Sequence, residues 1–148
     1  MISTGTAPAR RVGHWIALVA VLWAMTSATL LTRFDEYFWG NFALLLAPHA
    51  IVLGVLLIFR GPWAVLAGAE IEMALFLSLF GLWFSTGGRA EAMAWLWYFF
   101  SFPGALAGGF LAMLRTRDAT PLIAVSLTAS WVFAGMLVDL ASVFLWVW

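Results

Sequence analysis

Residues 63–84, WAVLAGAEIEMALFLSLFGLWF, form one apolar run with two carboxylates, Glu70 and Glu72, near its middle. A helix rising ~1.5 Å per residue crosses a ~30 Å hydrocarbon core in about 20 residues, and the run has that length. Glu70 lies seven residues past Trp63, roughly 10 Å into the run, and Glu72 is about 3 Å deeper. A Glu side chain is short, so neither carboxylate snorkels far. A charge at the centre of a membrane helix costs about 2.5–3.5 kcal/mol, and each large aliphatic residue or Phe returns about 0.3–0.6. The ten Val, Leu, Ile and Phe residues of the run return about 3–6 kcal/mol against about 5–7 for two charges. The segment is marginal alone. It needs protonated carboxyls, polar partners on other helices, or a water-filled cavity.

The rest of the chain fits a membrane solvent. Of its 148 residues, 65% are hydrophobic and 9% charged, against about 25% charged in soluble domains. This length accommodates one small helical bundle and no soluble catalytic domain. The net charge is zero, so nothing draws the chain to nucleic acid. All seven cations are Arg, which excludes a lysine Schiff base and lysine-attached retinal. There is no Cys, which excludes disulfides, thiolate metal sites and covalent c-type haem.

Four further runs have spanning length, and the pattern predicts five transmembrane helices: 15–32, 41–59, 63–84, 93–114 and 121–147. The first follows Arg10-Arg11 but is too long for a signal peptide, and its cleavage pattern, Thr26-Ser27-Ala28, is weak. We therefore expect it to be retained. The segment 32–40, TRFDEYFWG, mixes charges with aromatic rings as headgroup regions do. Pro48 kinks the second helix beside His49. Arg60-Gly61-Pro62 is a short turn that makes helices two and three antiparallel neighbours. STGGRAE, 85–91, and RTRDATP, 115–121, read as polar loops, and Gly108-Gly109 allows close backbone approach. Arg10, Arg11, Arg60, Arg115 and Arg117 fall on one side of this arrangement, and Arg33 and Arg89 on the other. That asymmetry puts the N-terminus in the cytoplasm and the C-terminus outside.

The expected fold is an all-α, polytopic integral membrane bundle forming one domain over 1–148. The expected location is a cell membrane of the bacterial inner-membrane type.

His49, Glu70 and Glu72 fall in one layer near the midplane. Intramembrane ionisable groups point by default to a functional site. His49 lies eleven residues before Arg60; Glu70 lies eight and Glu72 ten after Pro62. Equal distance from the turn means equal depth, so Glu72 is the expected partner of His49. Glu70 and Glu72 are about 200° apart around a helix and cannot face one neighbour. Such a layer suits a proton, a cation or a small polar ligand, because imidazole titrates near neutrality and buried carboxylates hold protons readily. A single interhelical hydrogen bond that staples the bundle is the plainer reading.

Imidazole with two carboxylates also suits iron, zinc or manganese, so the metal, like any other cofactor, stays open. No Glu-x-x-His pair exists for a diiron bundle. His14 at the membrane edge does not oppose His49 across a haem. Ser101, in a segment kinked by Pro103, and Asp139, about 27 Å along the fifth helix, are possible supporting residues. For Asp139 the expected environment is an interfacial ion pair or water. Ser101 lacks the Gly-x-Ser-x-Gly context of a nucleophile elbow, and no catalytic residue is assigned.

Two functions compete. One is a small membrane protein, an oligomer or a subunit of a larger membrane complex, whose His/Glu layer binds or transports a proton, cation or small polar ligand. The other is a structural accessory, assembly or immunity-type protein that binds another membrane protein through aromatic helix faces. Ten Trp and thirteen Phe suit the second; two carboxylates at the most costly depth suit the first. A membrane enzyme ranks third.

Overall fold

The computed structural model describes residues 7–86 and 94–147. Every regular element among them is a helix: α1 (Ala7–Leu31), α2 (Phe38–Ile58), α3 (Trp63–Thr86), α4 (Ala94–Phe100), α5 (Phe102–Arg115) and α6 (Pro121–Val147). Five stretches are long and apolar enough to cross a membrane, the fourth being Trp97–Arg115 from α4 and α5 together. Ser85 and Thr86, expected in a loop, instead close the last turn of α3, where both hydroxyls donate to the Leu82 carbonyl. The rest of that loop, with Arg89, lies outside the described residues.

α3 is the central helix, and its most extensive partners are α1 and α6. Contacts give the directions. Gly13 of α1 lies against Trp63 and Ala64, Ser27 shares a 2.9 Å hydrogen bond with Ser78, and Leu31 packs on Gly81. α1 and α3 therefore run parallel. Gly68 of α3 meets Val125 and Thr128 of α6, and further along Phe80 and Trp83 share a groove with Leu140 and Phe144, again in parallel register. α2 and the α4–α5 pair run the other way: Leu56 touches Gly109, and the Tyr98 hydroxyl donates to the Leu45 carbonyl at 2.7 Å. The five long helical stretches alternate in direction, as short connections between them require.

The α2–α3 turn has a chemical stop. Arg60 has a positive φ of 58°. Its N–H donates to the Leu57 carbonyl and the Gly61 N–H to the Leu56 carbonyl, which closes α2 in a Schellman motif. Pro62 follows, and its carbonyl accepts the Val65 and Leu66 N–H groups that start α3.

The expected single fourth helix, 93–114, is two helices meeting at Ser101. Pro103 is the cause: it has no N–H to donate and its ring crowds the carbonyl four residues back. The Ser101 hydroxyl donates to the Tyr98 carbonyl at 2.7 Å and covers part of the break. Beyond it, α5 crosses α6 at a glycine contact. A Cβ on Gly104 or Gly108 would fall on the carbonyl of Gly135 or Trp131, and one on Gly135 on that of Gly104. These helices touch through bare backbone, the close approach that small residues permit.

Candidate functional site

The side chains facing inward on α2 are Leu45, Pro48, His49, Val52 and Leu56. On α3 they include Leu66, Ala69, Glu70, Met73 and Leu77. Both stripes follow the helical repeat, and they bring together one imidazole and one carboxylate. His49 Nδ1 lies 2.9 Å from Glu70 Oε1, within hydrogen-bond distance. His49 is 3% exposed and Glu70 1%.

The expected partner, Glu72, is not the one that meets His49. Glu72 is half-buried and makes no side-chain hydrogen bond among the described residues. It lies on the α3 stripe that continues through the exposed Leu75 and Leu79. Azimuth overrides depth here. Two residues of depth amount to about 3 Å, which a Glu side chain spans, whereas 200° of rotation puts the helix itself between the groups. The layer is thus one buried pair and one separate carboxylate. No three His, Asp or Glu side chains gather around a common point among the described residues. The imidazole-plus-two-carboxylate metal set is therefore not assembled.

The pair is only half satisfied. Its 2.9 Å separation suits a carboxyl O–H donating to an unprotonated Nδ1, or a Nδ1–H donating to a carboxylate. In either arrangement His49 Nε2 and Glu70 Oε2 remain buried with no hydrogen-bond partner among the described residues. Leaving such an atom unpaired costs about 1–3 kcal/mol.

Beside the pair is a cavity of about 440 Å³ between α1, α2 and α3. Trp15, Leu18, Leu53, Leu57 and Leu66 give it apolar walls, Glu70 belongs to its lining, and His14 and Trp63 stand on the side towards the α2–α3 turn. The His14 and Trp63 rings are 3.9 Å apart. The cavity exists because α1 and α2 converge at one end only. Near the 32–37 connection, Ala28 and Leu45 share a cluster with Leu77 and Phe80. Towards the α2–α3 turn the two helices splay, each leaning on α3. Trp15 is 66% exposed and Trp63 39%, so the cavity is open to the outside of the bundle.

Two residues take unexpected roles. Tyr98 is 2% exposed, packed on Phe76 and Phe80. Its hydroxyl reaches the Leu45 carbonyl, next to Leu44, whose usual donor is missing because residue 48 is Pro. The signal was the lone hydroxyl within the aromatic block WLWYFF. Asp139, expected in an interfacial ion pair or water, instead accepts the Gly104 N–H on Oδ2 at 2.8 Å. It caps the start of α5 from another helix, satisfying a donor the break at Ser101 exposes. Ser101 and Asp139 thus serve the helix break. Neither touches the His49–Glu70 pair.

No family model, characterised protein or solved structure matches the chain.

Proposed function

We propose that this is a small multi-pass membrane protein whose His49–Glu70 pair binds and exchanges a proton, or a small cationic or polar group, at the floor of the α1–α2–α3 cavity. The observation that carries this reading is the pair of unpartnered atoms, His49 Nε2 and Glu70 Oε2, buried beside an open cavity lined by Glu70. A staple between helices would need neither feature. A hydroxyl in place of either group would join the helices without leaving two polar atoms at about 1–3 kcal/mol each. Glu72, half-buried and turned towards the lipid side of α3, is a second proton-holding group and a contact point for another copy or a partner subunit. The Arg asymmetry favours a cytoplasmic N-terminus and an external C-terminus in a bacterial-type inner membrane. Transport would follow if the cavity opened alternately to the two sides.

The test is infrared difference spectroscopy on protein reconstituted in lipid, comparing the carboxyl region across a pH step. A protonated-carboxyl band that appears reversibly, and is missing in both Glu70→Gln and His49→Leu, supports the reading. Its absence in the parent protein refutes it.

A second reading is supported by a different place in the fold. A groove of about 840 Å³ between α3, α4 and α6 is lined by Phe76, Phe80, Trp83, Trp97 and Phe144. It suits an accessory role in which another membrane protein's helix lies against these rings. Cross-linking from a photoreactive group at position 83 to a distinct membrane protein would favour that role.

A further inference from the structure

We infer that the ligand of the α1–α2–α3 cavity is an amphiphilic amine: an apolar body between the Trp and Leu walls, with a protonated nitrogen donating to Glu70 Oε2. This rests on the preceding proposal that the pair is a binding site, and it names the ligand class.

The walls define the body. Trp15, Leu18, Leu53, Leu57, Trp63 and Leu66 offer no hydrogen bonds towards the cavity apart from the two indole N–H groups. A volume of about 440 Å³ lies within the range of small-molecule sites, about 300–1,000 Å³. The floor defines the head. An ionised Glu70 is an acceptor only. In that state Oε1 takes the Nδ1–H of His49, 2.9 Å away, and Oε2 is buried with no hydrogen-bond partner among the described residues. A group placed there must donate, and a cation does so with the stronger, charge-assisted bond. The opening favours the same charge. Trp15 and Trp63 are exposed residues of the lining, and indole faces attract ammonium groups. No Arg lines the cavity: Arg60 and Arg117 line a separate crevice, against Phe59 and Phe110. The lining residues Trp15, Leu18, Leu57 and Trp63 are exposed and apolar, an approach that suits an amphiphile dissolved in a bilayer.

Equilibrium dialysis of the protein in mild detergent, with octylamine, octanol and octanoate and with empty micelles as baseline, tests the assignment. These three probes share one apolar body and differ in the head. We expect saturable octylamine binding, about tenfold or more tighter than octanol, as a charge-assisted hydrogen bond would give, and no octanoate binding above baseline. In Glu70→Gln the octylamine preference should disappear. Leu18→Trp, which fills the cavity and leaves Glu70 in place, should weaken octylamine and octanol together. That second variant decides the matter if Glu70→Gln misfolds. Equal binding of octylamine and octanol, or an octylamine preference that survives Glu70→Gln, overturns the inference. A titrating carboxyl band without amine selectivity would remove this ligand class alone; loss of the band removes the binding site itself.

Discussion

Glu70 and Glu72 are two residues apart and meet different surroundings. Glu70 faces His49 from inside the bundle; Glu72 sits half-buried on the outer stripe of α3. Replacing one member of the buried pair strands the other in a low dielectric, which costs more than replacing both. Glu70→Gln and His49→Leu should each lower thermal stability in detergent, by about 1–3 kcal/mol. Together they should cost less than their sum, by a coupling of about 1 kcal/mol or more. Glu72→Gln should add independently to His49→Leu. Strong coupling of Glu72 with His49 would contradict the observed pairing. The existence of the polar layer was legible in the sequence, because spacing from the Arg60–Pro62 turn fixes depth. The choice of partner was not. α3 is apolar on every face, so no amphipathic stripe reveals which carboxylate turns inward.

At the scale of elements, two contacts hold the broken fourth span against α6. The glycine crossing comes first. Gly108→Ala puts a methyl group on the Trp131 carbonyl and should destabilise the protein by about 2 kcal/mol or more, as overpacking does. Gly54→Ala, with nothing within 4 Å of the new atom, should be neutral or stabilising by up to about 1 kcal/mol, as a mid-helix glycine replacement is. Similar losses at both positions, measured by thermal denaturation, would mean the α5–α6 contact is looser than described. The second contact is the cap on Gly104. Asp139→Asn keeps an acceptor oxygen and should be mild, whereas Asp139→Ala should cost about 0.5–2 kcal/mol, as lost helix caps do. Equal tolerance of Asn and Ala would show that Asp139 does not hold α5. Pro103 and Ser101 marked a kink in the sequence, but the capping residue belongs to another helix, and no local pattern connects residues thirty-five apart.

For the whole molecule, the five apolar spans and their alternation were legible from run lengths and Arg positions alone. Arg60 and Arg117 do lie at one end of the bundle, lining the same crevice. Sidedness is tested by reporter fusions at Thr4 and after Trp148, which should report the cytoplasm and the outside respectively. Both reporters on one side would contradict five crossings. The cavity was not legible. It arises from the splay of α1 from α2 and from how each leans on α3, which depends on packing across the bundle and not on any one run.

The central claim is that His49 and Glu70 form a working pair. The chain has only two histidines, His14 and His49, so a His14→Gln protein carrying ¹⁵N-labelled histidine reports on His49 alone. Solid-state NMR of that protein in lipid should show a hydrogen-bonded Nδ1 signal. The signal should change in Glu70→Gln. An imidazole spectrum that Glu70→Gln leaves unaltered would contradict the account.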